Sequence, residues 1–152
     1  MGRLAASAEL LKRATTVLDG PGDPPARLVI RLAWVRAELA MAAGDGCTAR
    51  SYALRGVELA EQALPELRRH RVKSDVVLAA ALCSDGDLEL SRALADTTLA
   101  DAQTHGLVPL RWALACLLAG IGSNAHSPTD VAGIRDRSAD FITRHGGRLS
   151  SS

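Results

Sequence analysis

The residues with the clearest capacity for binding chemistry form a short basic run, RRHRVK, at positions 68–73. Clustered guanidinium and ammonium groups bind carboxylates or phosphates, so this run is a candidate patch for an acidic partner. Its permanent cations are Arg68, Arg69, Arg71 and Lys73. The alternative interpretation is structural: the cations stabilise the end of the third predicted helix through the helix dipole. A net charge of +1 and the absence of aromatic residues from the run argue against nucleic acid as the partner.

Histidine and cysteine are the other reactive residue types, and their spacing favours structural roles. No histidine stands three or four residues from another histidine or from a cysteine, as helical metal ligands would. His105 and His145 each stand beside a glycine that ends a predicted helix, where an imidazole can cap the last carbonyls. Cys83 and Cys116 lie in apolar runs and are predicted to be small buried residues. Since no catalytic motif occurs either, we predict a protein that is not an enzyme and has no metal or cofactor.

The composition favours helices as the elements that position these residues. Alanine and leucine, two strong helix formers, supply 27 and 23 of the 152 residues, whereas aromatic residues make up 3%. Caps, breakers and apolar spacing predict an all-α fold of seven helices. The predicted helices span about residues 3–18, 24–43, 48–65, 73–84, 88–104, 108–121 and 128–145. We predict one domain over residues 1–147, with an N-terminal helix in 1–20, helix pairs in 24–145 and a disordered tail at 148–152.

Local signals predict where several of these helices begin and end. Residues 19–22, Asp-Gly-Pro-Gly, break the first helix, and Asp23 is predicted to cap the second, with Pro24 as its first residue. Pro65 must end or kink the third helix. Ser127 is predicted to cap the seventh. The third helix carries one apolar stripe, Ala49, Ala53, Val57, Ala60, Leu64 and Leu67.

An internal repeat links the second predicted helix to the sixth. Five identical pairs share an offset of 78 residues, and they include both tryptophans of the chain. The pairs are Leu32/Leu110, Trp34/Trp112, Ala37/Ala115, Leu39/Leu117 and Gly44/Gly122. A weaker copy at an offset of 42 matches Ala37 with Ala79 and Gly44-Asp45 with Gly86-Asp87. Helical periods of about 36–42 residues predict stacked helix pairs, and Trp112 is predicted to lie in the core.

These motifs resemble those of the tetratricopeptide-repeat family. Trp34 and Trp112 match the aromatic position that opens a repeat in that family, and Gly44-Asp45 resembles its corner. The middle copy departs from the pattern, with Val76 where the tryptophan would stand. The resemblance implies antiparallel helix hairpins that stack as a short right-handed solenoid. A compact helical bundle is the alternative.

In that family the first helices of successive repeats line a concave groove that binds extended peptides. Through the two tryptophans, the resemblance assigns eight apolar residues to this groove. They are Leu32, Val35, Leu39, Val77, Ala81, Leu110, Ala113 and Leu117. Three occupants are open: the first helix, with Leu4, Leu11 and Leu18 at heptad spacing; a second copy of the chain; or an amphipathic partner helix. The plainer alternative is that these eight residues are simply core.

Together these features predict a non-enzymatic helical-repeat module for protein–protein interaction, whose partner is another protein or a second copy of the chain. The alternative is a partner-dependent sensor or regulatory module of a bacterial transcription or signalling system, a role that tetratricopeptide-like arrays often serve. No helix pair has the short turn and basic second helix that direct DNA binding requires. The longest uncharged apolar stretch, 112–122, has 11 residues against about 20 for a membrane span, so we predict a cytoplasmic protein.

Overall fold

The described part of the chain is built from α-helices. The computed structural model describes residues 2–18, 22, 24–63 and 65–146. Within them lie seven α-helices, which confirms the all-α class and the predicted number of helices. In chain order they are α1 (Gly2–Leu18), α2 (Ala26–Ala42), α3 (Gly46–Gln62), α4 (Arg68–Ser84), α5 (Leu88–Thr104), α6 (Val108–Ile121) and α7 (Pro128–Arg144). A 3-10 turn, Pro65–Leu67, stands between α3 and α4. The tail predicted at 148–152 lies outside the described residues.

The helices belong to two compact units, Met1–Asp87 and Leu88–Ser152. In the first unit, neighbouring helices pack in order from α1 to α4, and α4 also packs against α2. In the second unit, α6 packs against both α5 and α7. The boundary falls between α4 and α5, which the internal repeat assigns to one helix pair. Whether residues 1–147 form a single domain depends on how the two units are joined, so that assignment stays a prediction.

Three helices end in the same glycine turn. Gly44, Gly86 and Gly106 follow α2, α4 and α5 with φ angles of +77°, +89° and +63°, a left-handed conformation that glycine adopts without strain. In each turn, the N–H of the residue after the glycine donates to the carbonyl five residues back at 2.9 Å. This hydrogen bond is that of a Schellman motif, and it confirms the turns predicted at 44–45 and 86–87.

The two ends of α7 are capped as the sequence predicts. The Ser127 hydroxyl accepts a hydrogen bond from the N–H of Asp130 at 3.1 Å, and the Asp130 carboxylate accepts one from the N–H of Ser127 at 3.4 Å. This reciprocal pair is a capping box. At the other end, Nδ1 of His145 lies 2.8 Å from the carbonyl oxygen of Phe141. A histidine therefore caps the last turn, as expected.

The start of α2 differs from the prediction. The helix begins at Ala26, with Pro25 in the N-cap position and no side-chain cap, so Pro24 is not its first residue. The reason is that Pro24 itself precedes a proline, whose ring disfavours the helical conformation for the residue before it. The predicted cap, Asp23, and residues 19–21 of the predicted breaker lie outside the described residues.

The boundary between α3 and α4 lies earlier in the chain than predicted. Helix α3 ends at Gln62, because the ring of Pro65 would clash with the carbonyl four residues back. Helix α4 begins at Arg68, whereas the predicted start was Lys73. The basic run therefore opens α4, at the positive end of its dipole. The interpretation that these cations stabilise the end of α3 is wrong.

Helix α3 presents small residues to the neighbouring helices. Its buried face within the helix consists of Ala49, Ala53, Gly56 and Ala60. The predicted stripe is thus correct at its three alanines, whereas Val57 is half-buried, Leu67 lies in the 3-10 turn and Leu64 lies outside the described residues. The start of α3 lies close against the end of α4, since a Cβ on Gly46 would lie 2.5 Å from the carbonyl oxygen of Ser84.

The two tryptophans of the internal repeat occupy different environments. Trp34 is 8% exposed, and its indole N–H donates a hydrogen bond to Oγ of Ser74 at 2.8 Å. Trp112 is only half-buried, so its predicted place in the core is confirmed only in part. It lies at the edge of the buried face of α6, four residues after buried Val108 and three before buried Ala115. That face consists mainly of Leu110, Leu114, Ala115 and Leu118.

Candidate functional site

The structure places the eight predicted groove residues at different depths. In the first unit, Val35 is 41% exposed, and Leu32 and Leu39 beside it on α2 are half-buried. Val77 and Ala81 on α4 are buried, so of these five residues only those on α2 present surface to a partner. In the second unit, the three residues are on α6, where Leu110 is buried and Ala113 and Leu117 are half-buried.

Helix α1 packs against α2, beside part of the predicted groove. The Arg36 guanidinium donates a hydrogen bond to Oγ1 of Thr15 at 2.6 Å, which joins the two helices. A cavity of about 830 Å³ lies between α1, α2 and α3, and Leu11 and Leu39 both line it. The structure describes only the backbone of Leu4 and Leu18, the other members of the heptad pattern. Helix α1 therefore lies beside Leu39 but does not bury Val35.

Three apolar side chains form an open row along α2, which we call the α2 ridge: Leu28, Leu32 and Val35. Leu28 is 43% exposed and Val35 is 41% exposed, with half-buried Leu32 between them. Their spacing of four and then three residues places them on one helix face. The repeat missed Leu28, because that residue has no counterpart at the 78-residue offset. The helical spacing from Leu28 to Val35 was the signal that could have found it.

The predicted acidic-partner patch divides into free and engaged cations. Arg68, Arg69 and Arg71 are exposed at the start of α4. Lys73 is engaged within the protein: its Nζ lies 3.5 Å from Oε1 of Glu38 and 5.9 Å from the centre of the Trp34 ring. Lys73 therefore contributes to the packing of α2 against α4, whereas none of the three arginines makes an ion pair within 4.0 Å among the described residues of the first unit.

Two further arginines, on α2, lie near the start of α4. Arg27 and Arg31 share a face of α2 with Trp34, at spacings of four and three residues, and Trp34 stacks on His70 of α4 with 5.4 Å between ring centres. Arg69 directly precedes His70 in α4. Burial and the positive charges of Arg31, Arg69 and Arg27 together lower the pKa of His70. We call Arg27, Arg31 and Arg69 the arginine cluster.

The arginine cluster has no internal counter-charge among the residues that the structure describes. Ion pairs within 4.0 Å do occur elsewhere in the first unit, as between Arg50 and Asp85, but none there involves Arg27, Arg31 or Arg69. All three side chains are exposed. Guanidinium groups in this state can pair with carboxylates or phosphates from outside the protein.

The cysteines and other ligating residues give no second site within the described residues. Cys47 is exposed, whereas Cys83 and Cys116 are half-buried, so their predicted burial is only partial. Burial raises the pKa of the Cys116 thiol, and the positive charge of Arg135 opposes this with a smaller effect. The raised pKa disfavours the reactive thiolate. In residues 2–18, 22, 24–63 and 65–146, no three metal-ligating side chains converge. Nor does any helix there have the length and apolar character needed to cross a membrane.

Comparison of the chain with protein-family models, curated proteins and solved structures finds no match. The function is therefore argued from the α2 ridge and the arginine cluster themselves.

Proposed function

We propose that this protein is a non-enzymatic, tetratricopeptide-like module that binds a segment of another protein. The observation that carries the proposal is the α2 ridge, an open row of apolar side chains on a helix that the tetratricopeptide resemblance assigns to the partner-binding face. Scattered exposed apolar residues are common on protein surfaces. Here two exposed residues and the half-buried Leu32 between them follow one another along one face, which is the pattern that receives an amphipathic helix.

The packing of the first unit supports the tetratricopeptide-like part of the proposal. Helix α4, which opens the second predicted repeat, packs against both helices of the first, α2 and α3. Helices α2 and α4 end in the same Schellman turn, 42 residues apart. Small residues line α3 where it meets its neighbours. The proposal extends this order through α5, α6 and α7 as a right-handed solenoid.

The proposal predicts that selection from a random peptide library finds ligands of the ridge. Displayed peptides of about 16 residues would span about 24 Å as helices, enough to cover the ridge. Enriched peptides are then measured by fluorescence anisotropy against the wild type and the double variant Leu28→Ser/Val35→Ser. We expect the double variant to weaken binding at least about tenfold, because the ridge loses two apolar anchors.

A matched control separates the ridge from apolar surface in general. Leu54 on α3 is 43% exposed, as is Leu28, so Leu54→Ser removes the same side chain at the same exposure outside the ridge. We expect binding to Leu54→Ser to stay within about twofold of wild type. A library that yields no ligand, or ligands that bind the double variant as tightly as the wild type, would contradict the proposed function.

A further inference from the structure

We propose that the segment bound by the α2 ridge is an acidic amphipathic helix, whose apolar side chains pack on the ridge and whose carboxylates pair with the arginine cluster. This inference rests on the proposed function and specifies the chemistry of the partner. It follows from the position of the cluster beside the ridge, from the lack of an internal counter-charge, and from the like charges that a second copy would bring.

The cluster and the ridge are adjacent by helix geometry. Arg27 and Arg31 directly precede Leu28 and Leu32 in α2, and each step along an α-helix turns the side chain by about 100°. The two arginines therefore form a second row beside the apolar one. Arg69 joins them from α4, at the position where His70 stacks on Trp34. A helix on the ridge would thus have cations along one of its flanks.

The surroundings of the cluster reinforce its positive charge. Arg69 lies in the first turn of α4, whose N-cap residue, Leu67, makes no side-chain hydrogen bond. Arg27 lies in the first turn of α2, whose N-cap, Pro25, makes none either. Both helices thus direct uncapped N–H groups and the positive ends of their dipoles toward this region. Carboxylates on a partner would meet these charges without having to displace an acid of the first unit among the described residues.

A second copy of the chain fits this surface poorly. In a symmetric dimer built on the ridge, each copy contributes the same patch, so the one interface would contain two arginine clusters and the ridge offers no acid to offset them. Like charges at such an interface oppose association. Nucleic acid fits poorly for a different reason: the aromatic ring beside the cluster, Trp34, is buried and cannot stack on bases.

Three synthetic peptides test the inference directly. The first carries leucines at helical spacing with glutamates along one flank, the second replaces every glutamate by glutamine, and the third keeps the glutamates but replaces the leucines by alanine. Binding to the full chain is measured by fluorescence anisotropy at about 0.15 M salt, where the Debye length is about 8 Å. We expect the first peptide to bind at least about tenfold more tightly than either of the others.

Two single variants in the first turn of α4 localise the charge effect. Arg69→Glu changes the cluster, whereas Arg71→Glu makes the same change two positions along the helix, about 200° around it. Both substitutions lie in the same helix dipole, so a difference in peptide affinity between the two variants depends on which side of α4 carries the substituted residue. We expect Arg69→Glu to weaken binding of the first peptide about tenfold and Arg71→Glu to leave it within about twofold. A peptide with lysines in place of the glutamates should regain affinity for Arg31→Glu/Arg69→Glu.

Each contrary result overturns the inference in a recognisable way. Equal binding of the glutamate and glutamine peptides would show that charge does not recognise the partner, and equal effects of Arg69→Glu and Arg71→Glu would show that recognition is not specific to the arginine cluster. If library-selected peptides bound the ridge but the acidic peptide did not, the inference would fail while the proposed function stood. If no peptide of either kind bound the ridge, both would fail. A dimer that disappears in Leu28→Ser/Val35→Ser would make a second copy the occupant and overturn the inference.

Discussion

His70 combines a favourable contact with an unfavourable one. Its ring stacks on Trp34, but its Nε2 atom is buried and has no hydrogen-bond partner among the described residues. A buried polar atom without a partner costs about 1–3 kcal/mol. Burial and the arginine cluster also lower the pKa of His70 below its ordinary value of 6.5. The folded protein therefore favours neutral His70 and opposes its protonation.

Replacing His70 by phenylalanine should stabilise the protein, and more so in acid. His70→Phe retains a ring against Trp34 and removes the unpaired Nε2, so we expect about 1 kcal/mol more stability at about pH 8. Because the folded pKa lies below the unfolded one, the unfolded state binds more protons as the pH falls below 6.5, and wild-type stability decreases. The advantage of the variant should thus grow toward about pH 5.5.

Urea unfolding followed by circular dichroism measures this difference at both pH values. His105→Phe replaces an exposed histidine and is the control, with an expected change within about 0.5 kcal/mol at about pH 8. A destabilised His70→Phe, or an advantage that shrinks as the pH falls, would show that His70 is well accommodated as it stands.

At the scale of the helices, α3 depends on a cap and a close approach at its first residues. The Asp45 carboxylate accepts hydrogen bonds from the hydroxyl of Thr48 at 2.6 Å and from its N–H at 3.0 Å. These two bonds lower the pKa of Asp45 and cap α3. The next residue, Gly46, lies against the backbone of Ser84 and Asp85 at the end of α4. The cap thus brings the start of α3 to a place where only glycine fits.

We expect Gly46→Ala to lower the free energy of unfolding by about 1–3 kcal/mol, since the new Cβ must displace backbone atoms. Gly120 on α6 is the control: apart from its own helix backbone, no atom of the described residues would lie within 4 Å of a Cβ at this position, and Gly120→Ala should add about 0.5 kcal/mol through helix propensity. Urea unfolding midpoints give both values. If Gly46→Ala had the same free energy of unfolding as the wild type, the turn between α2 and α3 would be able to shift away from α4 at no cost.

At the scale of the whole molecule, charge is balanced in number but uneven in position. The net charge is +1, yet the arginine cluster gathers three exposed cations from two helices beside an apolar ridge. Self-association through the ridge would bring like charges together, so the chain should remain a monomer. Light scattering over about a hundredfold range of concentration measures the molar mass, which should stay near 15.9 kDa.

Leu28→Ser/Val35→Ser should have the same molar mass as the wild type. A wild-type mass that rises with concentration while that of the double variant stays constant would identify the ridge as a dimer interface. A rise in both would place self-association elsewhere on the protein.

The helices, their turns and most of their ends follow from short stretches of sequence. The glycines at 44 and 86, the capping box at Ser127 and the break at Pro65 act through neighbours within about five residues, where sterics and backbone hydrogen bonds decide the conformation. Hence α5 and α6 have the predicted bounds. Helix α2 begins later than predicted because a second proline follows Pro24, and α4 begins earlier than predicted, directly after the 3-10 turn.

The composition of the candidate site depends on contacts between residues distant in the chain. Trp34 meets Ser74 across 40 residues, and this packing brings Arg27 and Arg31 to Arg69 while Glu38 engages Lys73. The basic run alone could not show which of its cations stay free, because a charge is neutralised by whatever lies beside it in space. Periodicity likewise finds an apolar stripe but cannot say whether another helix covers it. Which cations stay free and which apolar side chains stay uncovered decide where a partner would bind. Both depend on how α2 packs against its neighbours, α4 above all.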